Sequence, residues 1–243
     1  MKIEHRIIDK DKKIVQCTFQ DERWYTMEVD GKLTFVPSCT WVCSFYPKSL
    51  GFFKWMASKG WDESLALKEA AGDRGSKIHQ AVSSLLLGNT VKYDSKFLSP
   101  NISKEEELTV DEYEAILSFV YWHQENKPEI VAFDETVFAR DNSYAGTLDL
   151  RCLIEKEKWL IDFKTSQEIW PSHEIQVSAY KHTGFEDHKI GILQLGYRRN
   201  RKKFKFTEIV DQYDLFLAAR RIWQKETEGI VPLQKDLPLE VKL

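Results

Sequence analysis

The fold class is decided by one stretch, GTLDLRCLIEKEKWLIDFKTS, at residues 146–166. Apolar residues alternate with polar ones on both sides of the segment EKEK, which predicts two antiparallel strands joined by a tight turn. A turn centred on Lys156 and Glu157 would place Asp149 roughly opposite Lys164. Because side chains alternate between the faces of a sheet, a one-residue slip would mix the apolar and charged sets. The pattern therefore predicts a hairpin with one apolar and one charged face.

The two faces of this predicted hairpin differ in chemistry. Apolar side chains share one face: Leu148, Leu150, Cys152, Ile154, Trp159, Ile161 and Phe163. Charged side chains share the other: Asp149, Arg151, Asp162 and Lys164. Two carboxylates held close together repel each other, and taking them out of water adds a further cost. A divalent cation would cancel that cost. The alternative is an ordinary ion pair at the edge of a sheet, which contributes little energy.

A cation at the charged face would find hard oxygen ligands, which suit Mg²⁺. This ion keeps several waters and commonly binds substrate phosphates. Lys164, beside it, could orient or deprotonate a water, or neutralise charge that builds on a phosphate. The charged face therefore indicates phosphodiester hydrolysis.

The composition bounds the class of protein. The chain has 243 residues, of which 42% are hydrophobic and 30% charged, as in a soluble globular protein. The formal net charge of -3 gives no global nucleic-acid signal, so any basic surface is expected to be local. Neither a long apolar run nor a signal-peptide core is present in the sequence, so we expect a cytoplasmic, intracellular protein with no membrane partner.

The cysteines are expected to be reduced in that compartment. Cys39 and Cys43 have a helical i, i+4 spacing and could share a metal, but no second pair completes a site.

We predict one domain over residues 1–243, in three parts. Residues 1–37 form an N-terminal β-meander that includes a turn at Asp30 and Gly31. Residues 38–128 form a helical part, and residues 129–243 form the sheet core with a C-terminal helix.

The helical part has local start and stop signals. Ser38 would cap a helix that reaches toward Lys59 and stops at Gly60, and a second helix would cover residues 62–71. A third helix would run from a cap at Asp73 to Gly88, followed by an exposed loop over 92–107. Thr109 and Glu112 form a capping-box signature for a fourth helix, which ends before Pro128.

The sheet core is predicted from alternating segments. Its strands are expected at 130–138, 144–155 and 158–166, followed by a helix at 171–182 closed by Gly184, a hairpin of 189–197 with 202–210, and a final helix at 211–226.

Five short motifs follow one another along the chain: TFVPSCT (34–40), RGSKIH (74–79), GTLD (146–149), DFKTS (162–166) and QVSAY (176–180). Together they resemble the PD-(D/E)XK nuclease superfamily, specifically its RecB-like exonuclease branch, with phage-type and mitochondrial genome maintenance exonucleases. The resemblance covers roughly residues 34–225. It implies an α/β fold with a restriction-endonuclease-like core, in which a central mixed β-sheet is flanked by helices. It also implies a metal-dependent exonuclease acting on single-stranded or end-containing DNA.

The resemblance implies roles for individual residues. Mg²⁺ or Mn²⁺ would be bound by His79, Asp149, Asp162 and the backbone carbonyl of Phe163. Lys164 would activate the attacking water, with Gln176 and Tyr180 beside it. Contacts to nucleic acid would come from Arg74, Thr165, Ser166 and Tyr180. The first helices, residues 38–71, would arch over the site.

The residues themselves leave alternatives open. His79, at the margin of a helical apolar stripe, could be a satisfied core side chain, and Tyr180 could pack half-buried against the sheet. Thr165 and Ser166 could simply form the turn after the strand.

Glu135 is a carboxylate on the otherwise apolar face of its strand, where it would be unfavourable without a partner. The resemblance makes it a metal ligand or a contact to a bound water. In a rotated register, Asp134 or Glu135 would instead face solvent.

A basic tract, GYRRNRKKFKF at residues 196–206, forms a predicted hairpin tip. Cations and aromatic rings together can follow a phosphate backbone and stack on bases. We therefore predict DNA contacts from this tract, at Arg198, Arg199, Arg201, Lys202 and Lys203. The alternative is a solvated charged face. Trp170 could stack on a terminal base, although core packing is the favoured role.

The chain departs from the family pattern in three ways. No cysteine follows Cys152, so no iron–sulfur cluster is expected, and Ser83 stands where some relatives carry a glutamate. No G-x-x-x-x-G-K-S/T motif is present, so any unwinding would come from a partner such as a helicase, with a recombinase or single-strand-binding protein as further partners. A structure-specific endonuclease or a non-catalytic nucleic-acid-binding module are the alternative functions.

Overall fold

The structure is a computed structural model that describes residues 3–9, 14–19, 22–29, 31–141, 143–230 and 232. The strands are β1 Ile3–Asp9, β2 Ile14–Phe19, β3 Glu22–Val29, β4 Lys32–Pro37, β5 Lys96–Ser99, β6 Lys104–Glu107, β7 Glu129–Phe138, β8 Ala145–Ile154, β9 Glu157–Lys164, β10 Lys189–Leu195 and β11 Phe204–Ile209. The helices are α1 Cys39–Ser44, α2 Leu50–Lys59, α3 Trp61–Leu86, α4 Val110–Asn126, α5 Pro171–Lys181 and α6 Tyr213–Glu226.

The central element is a five-stranded mixed sheet in the order β11-β10-β9-β8-β7. Strands β9 and β10 pair in parallel and are joined by α5, whereas the other neighbours are antiparallel. Helices α1, α5 and α6 pack on one face of this sheet, and α3 and α4 on the other. The predicted α/β class with a mixed sheet flanked by helices is therefore confirmed. In the part of the chain that the structure describes, no helix combines the length and apolar character needed to cross a membrane.

The sheet is buried on both faces, which corrects the prediction of one apolar and one charged face. In β9, Leu160 packs in the core beneath α5, whereas Ile161 and Phe163 pack in the core beneath α3 and α4. Leu148, expected beside Leu150, lies in the α5 core instead. The charged residues of the hairpin are thus inserted between two apolar layers.

The turn of the central hairpin lies one residue earlier than predicted. Ile154 pairs with Glu157 and Leu150 with Ile161, so the turn residues are Glu155 and Lys156, both with positive φ. Two left-handed residues give the backbone twist that suits a two-residue hairpin. The pairing moves by two residues relative to the prediction. Because strand faces repeat every two residues, the assignment of side chains to faces is preserved in this pairing.

The N-terminal meander is confirmed as a separate four-stranded antiparallel sheet, β1-β2-β3-β4. Val29 pairs with Lys32, with Gly31 at positive φ in the turn between them; Asp30 lies outside the described residues. The meander packs on the central sheet through a small core in which Tyr25 and Val36 contact Ala145.

Two helix predictions are wrong. The helix expected from Ser38 to Lys59 is split into α1, capped by Ser38, and α2, capped by Ser49. Pro47 lies between them, and proline disfavours helical backbone at the preceding residue. The two helices expected on either side of Asp73 form a single 26-residue helix, α3.

Asp73 does not cap a helix because it has tertiary partners. Its Oδ1 accepts hydrogen bonds from Ser99 Oγ at 2.7 Å and from Asn101 N at 3.2 Å. These partners belong to the short β5–β6 hairpin, which occupies the segment predicted as a loop. The carboxylate therefore fastens this hairpin onto α3.

The capping box that opens α4 is confirmed. Thr109 Oγ1 accepts a hydrogen bond from Glu112 N, and Glu112 Oε2 accepts one from Thr109 N. Glu112 also pairs with Lys77 of α3 at 2.8 Å, and both side chains are almost fully buried. One carboxylate thus begins α4 and fixes its position against α3.

We expect Thr109→Ala to lower the free energy of unfolding by about 0.5–2 kcal/mol, because it leaves the Glu112 N–H without its side-chain acceptor. Thr109→Ser is the matched control, since it retains the hydroxyl oxygen and should stay near wild type. Chemical denaturation of the three proteins measures this difference. Equal losses in both variants would show that the methyl group, and not the cap, accounts for the stability.

Candidate active site

The carboxylate of Asp149 lies where β8 and β9 meet α3. Its Oδ1 lies 3.0 Å from His79 Nδ1, and its Oδ2 accepts a hydrogen bond from Phe163 N at 2.7 Å. The first contact joins the sheet to α3, and the second joins β8 to β9 beyond the last paired residues. Both oxygens of Asp149 therefore have partners within the site.

Asp162 and Lys164 form the second part of the site, on the α5 side of β9. Asp162 Oδ2 lies 2.6 Å from Lys164 Nζ, and the Asp162 side chain is only 3% exposed. Among the described residues, no group reaches Oδ2 in a true hydrogen-bond geometry. This buried oxygen is therefore in contact with a cation but incompletely satisfied.

A chain of hydrogen bonds continues from Lys164 into α5. Lys164 Nζ donates to Gln176 Oε1 at 3.2 Å, and Gln176 Nε2 donates to Tyr180 Oη at 2.8 Å. Gln176 and Tyr180 can act in series because residues four apart are neighbours on one helix face. Helix α5 thus holds the ammonium in place.

The ionisable groups of the site shift each other's pKa values. Burial raises the pKa of Asp162 to about 6, although Lys164 opposes this shift. Burial also disfavours the charge on Asp149, but His79, Lys164 and the Phe163 N–H together outweigh it and lower the pKa of Asp149. Burial likewise disfavours the charges on Lys164 and His79, yet the carboxylates outweigh it and raise both pKa values. The two carboxyls are thus shifted in opposite directions, as expected for adjacent like charges in unlike surroundings.

Gly146 is required by the packing of Tyr180. A Cβ at this position would lie 2.3 Å from Tyr180 Cε1, and the ring is buried. The glycine of the GTLD motif therefore makes room for the aromatic ring that ends the hydrogen-bond chain.

These groups lie at the bottom of a cleft with a volume of about 870 Å³. One wall is α3, including Gly75, Ser76 and Gln80, and another is the meander. The β5–β6 hairpin closes one side with Leu98, Pro100 and Ser103. The walls are mostly small or uncharged polar residues, so the cleft is open to a polar substrate.

The donor set at the bottom of the cleft fits a divalent cation. In the described part of the chain, no group of three or more His, Cys, Asp or Glu side chains is arranged so that it could hold a metal ion as it stands. His79, Asp149 and Asp162 nevertheless all line the cleft, and a nitrogen with carboxylate oxygens suits Mn²⁺ or Mg²⁺. The incompletely satisfied Oδ2 of Asp162 is the observation that favours a cation here.

The structure brings most of the predicted catalytic residues together, but not Glu135. Its carboxylate makes two hydrogen bonds to Arg151, at 2.9 and 3.1 Å, and it does not line the cleft. Asp134 lines the cleft instead, with a positive φ of 49°. The local bend of β7 thus turns the neighbouring carboxylate toward the site, and no sequence periodicity signals it.

The predicted nucleic-acid contacts are divided. Thr165 lines the cleft beside Gly75, whereas Ser166 does not and donates its hydroxyl hydrogen to Glu168 O, as in the turn alternative. Arg74 lies near Gly196, and its buried Nε has no hydrogen-bond partner among the described residues. Trp170 is 51% exposed, so the favoured role in core packing is wrong.

The basic tract is largely neutralised. Its cations form ion pairs with carboxylates of α4 and of the segment after β9: Arg198 with Asp111, Arg199 with Glu168, Lys202 with Glu125 and Lys203 with Glu114. Neither these cations nor Arg201 lines the cleft. The predicted DNA contacts of the tract therefore stay a prediction, with the solvated-face alternative strengthened.

Cys39 and Cys43 are buried, with their Sγ atoms 3.9 Å apart. Burial and the neighbouring thiol raise the pKa of Cys39. A thiol whose pKa is raised is a poor metal ligand.

The meander wall of the cleft is not predicted by the sequence; it is formed by Gln16, Thr18, Arg23 and Tyr25. Polar residues at every second position of β2 and β3 were the available signal. Which part of the protein these side chains face depends on contacts between residues that are distant in sequence.

Comparisons with known proteins do not show a family for this chain. No family model matches the sequence, and no curated protein matches it. Thirteen chains of solved structures match, among them the crystal structure of SSO0001, with a TM-score of 0.31 and 14% identity. The match covers 52% of this chain and 64% of that one, less than two thirds of its length. The α/β class of the chain follows from its own five-stranded mixed sheet and flanking helices.

We expect Gly146→Ala to destabilise the protein by about 1–3 kcal/mol, because the buried Tyr180 ring must move away from the added methyl group. Gly72→Ala is the matched control. It lies in α3 with no atom near the added Cβ, so it should stabilise the helix by up to about 1 kcal/mol.

A double-mutant cycle tests the cause of the Gly146 effect. In a Tyr180→Leu background, Gly146→Ala should lower the free energy of unfolding much less, because the aromatic ring is absent. An unchanged cost would assign the effect of Gly146 to the backbone and not to Tyr180.

Proposed function

We propose that this protein is a metal-dependent DNA exonuclease of the PD-(D/E)XK type, acting on single-stranded DNA or DNA ends. The observation that carries the proposal is the convergence of Asp149, Asp162, Lys164 and His79 at the bottom of one cleft. These residues come from the two strands of one hairpin and from α3, whose His79 lies 70 residues before Asp149. The competing interpretation of the Asp-x-Lys sequence is a surface ion pair. Asp162 and Lys164 do not fit it, because they lie between two cores with an imidazole and a second carboxylate beside them.

The residues that would hold the cation are Asp149, Asp162 and His79, with the backbone carbonyl of Phe163. When bound, Mg²⁺ or Mn²⁺ would supply Lewis-acid stabilisation of the charge on phosphate oxygens. Asp149 is positioned for this role by two elements, because Phe163 N and His79 each hold one of its oxygens. His79 carries a nitrogen donor from α3 to the same point.

Lys164 is positioned to act on the reacting phosphate or the attacking water. An ammonium has three N–H donors. Gln176 accepts one of them, and the ion pair with Asp162 occupies a second direction around Nζ without completing a hydrogen bond, so Nζ keeps donor capacity toward the cleft. Lys164 therefore orients a water or neutralises charge on a phosphate oxygen, while Gln176 and Tyr180 fix its direction.

Digestion of end-labelled linear single-stranded DNA, compared with a circular single strand, tests the proposal. With Mg²⁺ or Mn²⁺, the linear strand should be degraded and the circle should persist. Asp162→Asn, Asp149→Asn and Lys164→Ala should each lower the rate by at least about 10²-fold, because each removes charge or orientation at the reacting centre.

Lys158→Ala is the matched control for Lys164→Ala. Lys158 lies in the same strand and forms an exposed ion pair with Asp187, so its loss should leave the rate near wild type. Cleavage of the circle would identify an endonuclease. Binding of DNA without cleavage of either substrate would contradict nuclease activity.

Cation binding should also be detectable without DNA. We expect Mn²⁺ to raise the melting temperature in a concentration-dependent way, because a ligand that binds only the folded state stabilises it by mass action. Asp162→Asn should remove this shift, whereas Glu135→Gln should retain it because Glu135 pairs with Arg151 outside the cleft. Stabilisation of all three proteins to the same extent would place the bound ion elsewhere.

A further inference from the structure

The N-terminal meander contributes a wall to the cleft, and the motifs of the central sheet do not account for it. Its lining residues are Gln16, Thr18, Arg23 and Tyr25. They form two cross-strand pairs, Gln16 with Tyr25 and Thr18 with Arg23. Because the two pairs lie two residues apart along their strands, all four side chains share one face.

This wall is attached rigidly to the catalytic strand. Gln16 Nε2 donates to Tyr25 Oη at 2.8 Å, and Tyr25 Oη lies 3.0 Å from Thr147 Oγ1. Thr147 is two residues before Asp149 in β8. Ser38, just after the meander, also forms a parallel bridge with Ala145. The position of the meander is therefore set by the same strand that carries a site carboxylate.

Arg23 is distinguished by its charge. Among the described residues, the cationic side chains that line the cleft are Arg23 and Lys164, and Lys164 contacts Asp162. Within the described ranges, no hydrogen bond or ion pair involves the Arg23 guanidinium, which is partly buried. A cation held in a cleft without a carboxylate partner is suited to an anionic ligand, and a guanidinium suits phosphate.

The spacing fits a chain of phosphates. Arg23 is two residues from Tyr25, so their Cα atoms are about 7 Å apart along the strand. Tyr25 marks the end of the wall that contacts the catalytic strand, and Arg23 lies one pair farther out. An anionic group bound by Arg23 would thus be displaced from the reacting centre along the cleft, and not placed at it.

We propose that the meander is the second wall of the DNA-binding channel and that Arg23 binds a backbone phosphate outside the scissile one, with Gln16 and Thr18 beside the same segment. This inference rests on the proposed nuclease function and adds to it a phosphate-binding position on an element outside the nuclease core. Because the contact is to the backbone, it should be independent of base sequence.

Binding of a fluorescent single-stranded oligonucleotide of about 16 nucleotides tests the proposal in a salt titration. The experiment uses the Asp162→Asn protein, which keeps the DNA intact. Adding Arg23→Ala should raise Kd about tenfold, as expected for loss of one charge-assisted hydrogen bond. It should also reduce the slope of log Kd against log salt by about 0.7, the value for one phosphate contact on a single strand.

The active protein provides a second measurement. Arg23→Ala should raise KM about tenfold with a much smaller change in kcat, because a contact away from the reacting centre contributes equally to ground-state and transition-state binding. Arg23→Glu should weaken binding further, and Arg23→Lys should partly restore it. Lys32→Ala, which removes an exposed cation of the same meander outside the cleft, should behave as wild type.

The outcomes separate the two proposals. If the wild-type protein neither cuts nor binds DNA, the nuclease proposal fails and this inference fails with it. If the wild-type protein cuts DNA but Arg23→Ala binds it with an unchanged Kd and salt slope, the nuclease proposal is retained. The assignment of the meander as a DNA-binding wall is then wrong. An equal loss in Arg23→Ala and Lys32→Ala would indicate a general charge effect and would also overturn the assignment.

Discussion

The structure depends on one constraint, which is that the charged pair Asp162 and Lys164 lies in a central strand covered on both faces. Removing two ions from water is costly, and their mutual attraction offsets that cost only when other polar groups complete the arrangement. Helix α5 must therefore place Gln176 against Lys164, and Tyr180 must follow to hold Gln176. The position of that ring in turn leaves no room for a side chain at residue 146. Three separated motifs are thus consequences of one buried charge pair.

A second buried ion pair determines where the imidazole lies. The side chains of Lys77 and Glu112 are almost fully buried and join α3 to α4. Lys77 lies two residues before His79 in α3. Because α3 runs unbroken from Trp61 to Leu86, this attachment fixes the whole wall of the cleft that the helix forms. A break near Asp73, which local signals favoured, would have separated the outer part of that wall from the part that carries His79. The tertiary partners of Asp73 remove the need for a local cap, and they cannot be identified from neighbouring residues.

The same distinction between local and distant contacts explains what the sequence could predict. The strands of the meander and of the central sheet, the capping box of Thr109 and the convergence of Asp149, Asp162 and Lys164 depend on periodicity and short spacings, and they were predicted. The turn at Glu155 and Lys156 was placed one residue late because neither residue is a usual left-handed turn former. The pairing of Glu135 with Arg151 and of the basic tract with α4 depends on which carboxylates meet which cations in space. Charge patterns in a sequence do not contain that information.

The charge of the cleft suggests how the two proposals are related. Among the described residues, the carboxylates of Asp134, Asp149 and Asp162 and the cations of Arg23 and Lys164 line the cleft, which gives a formal charge of −1 with His79 neutral. A polyanion is not attracted to such a site. On the proposed function, a bound divalent cation would change that charge to +1, and cation and DNA would increase each other's affinity, because linkage between two ligands is reciprocal. Arg23 then provides a positive charge outside this exchange, since no ion pair joins its guanidinium to Asp149 or Asp162 within the described ranges.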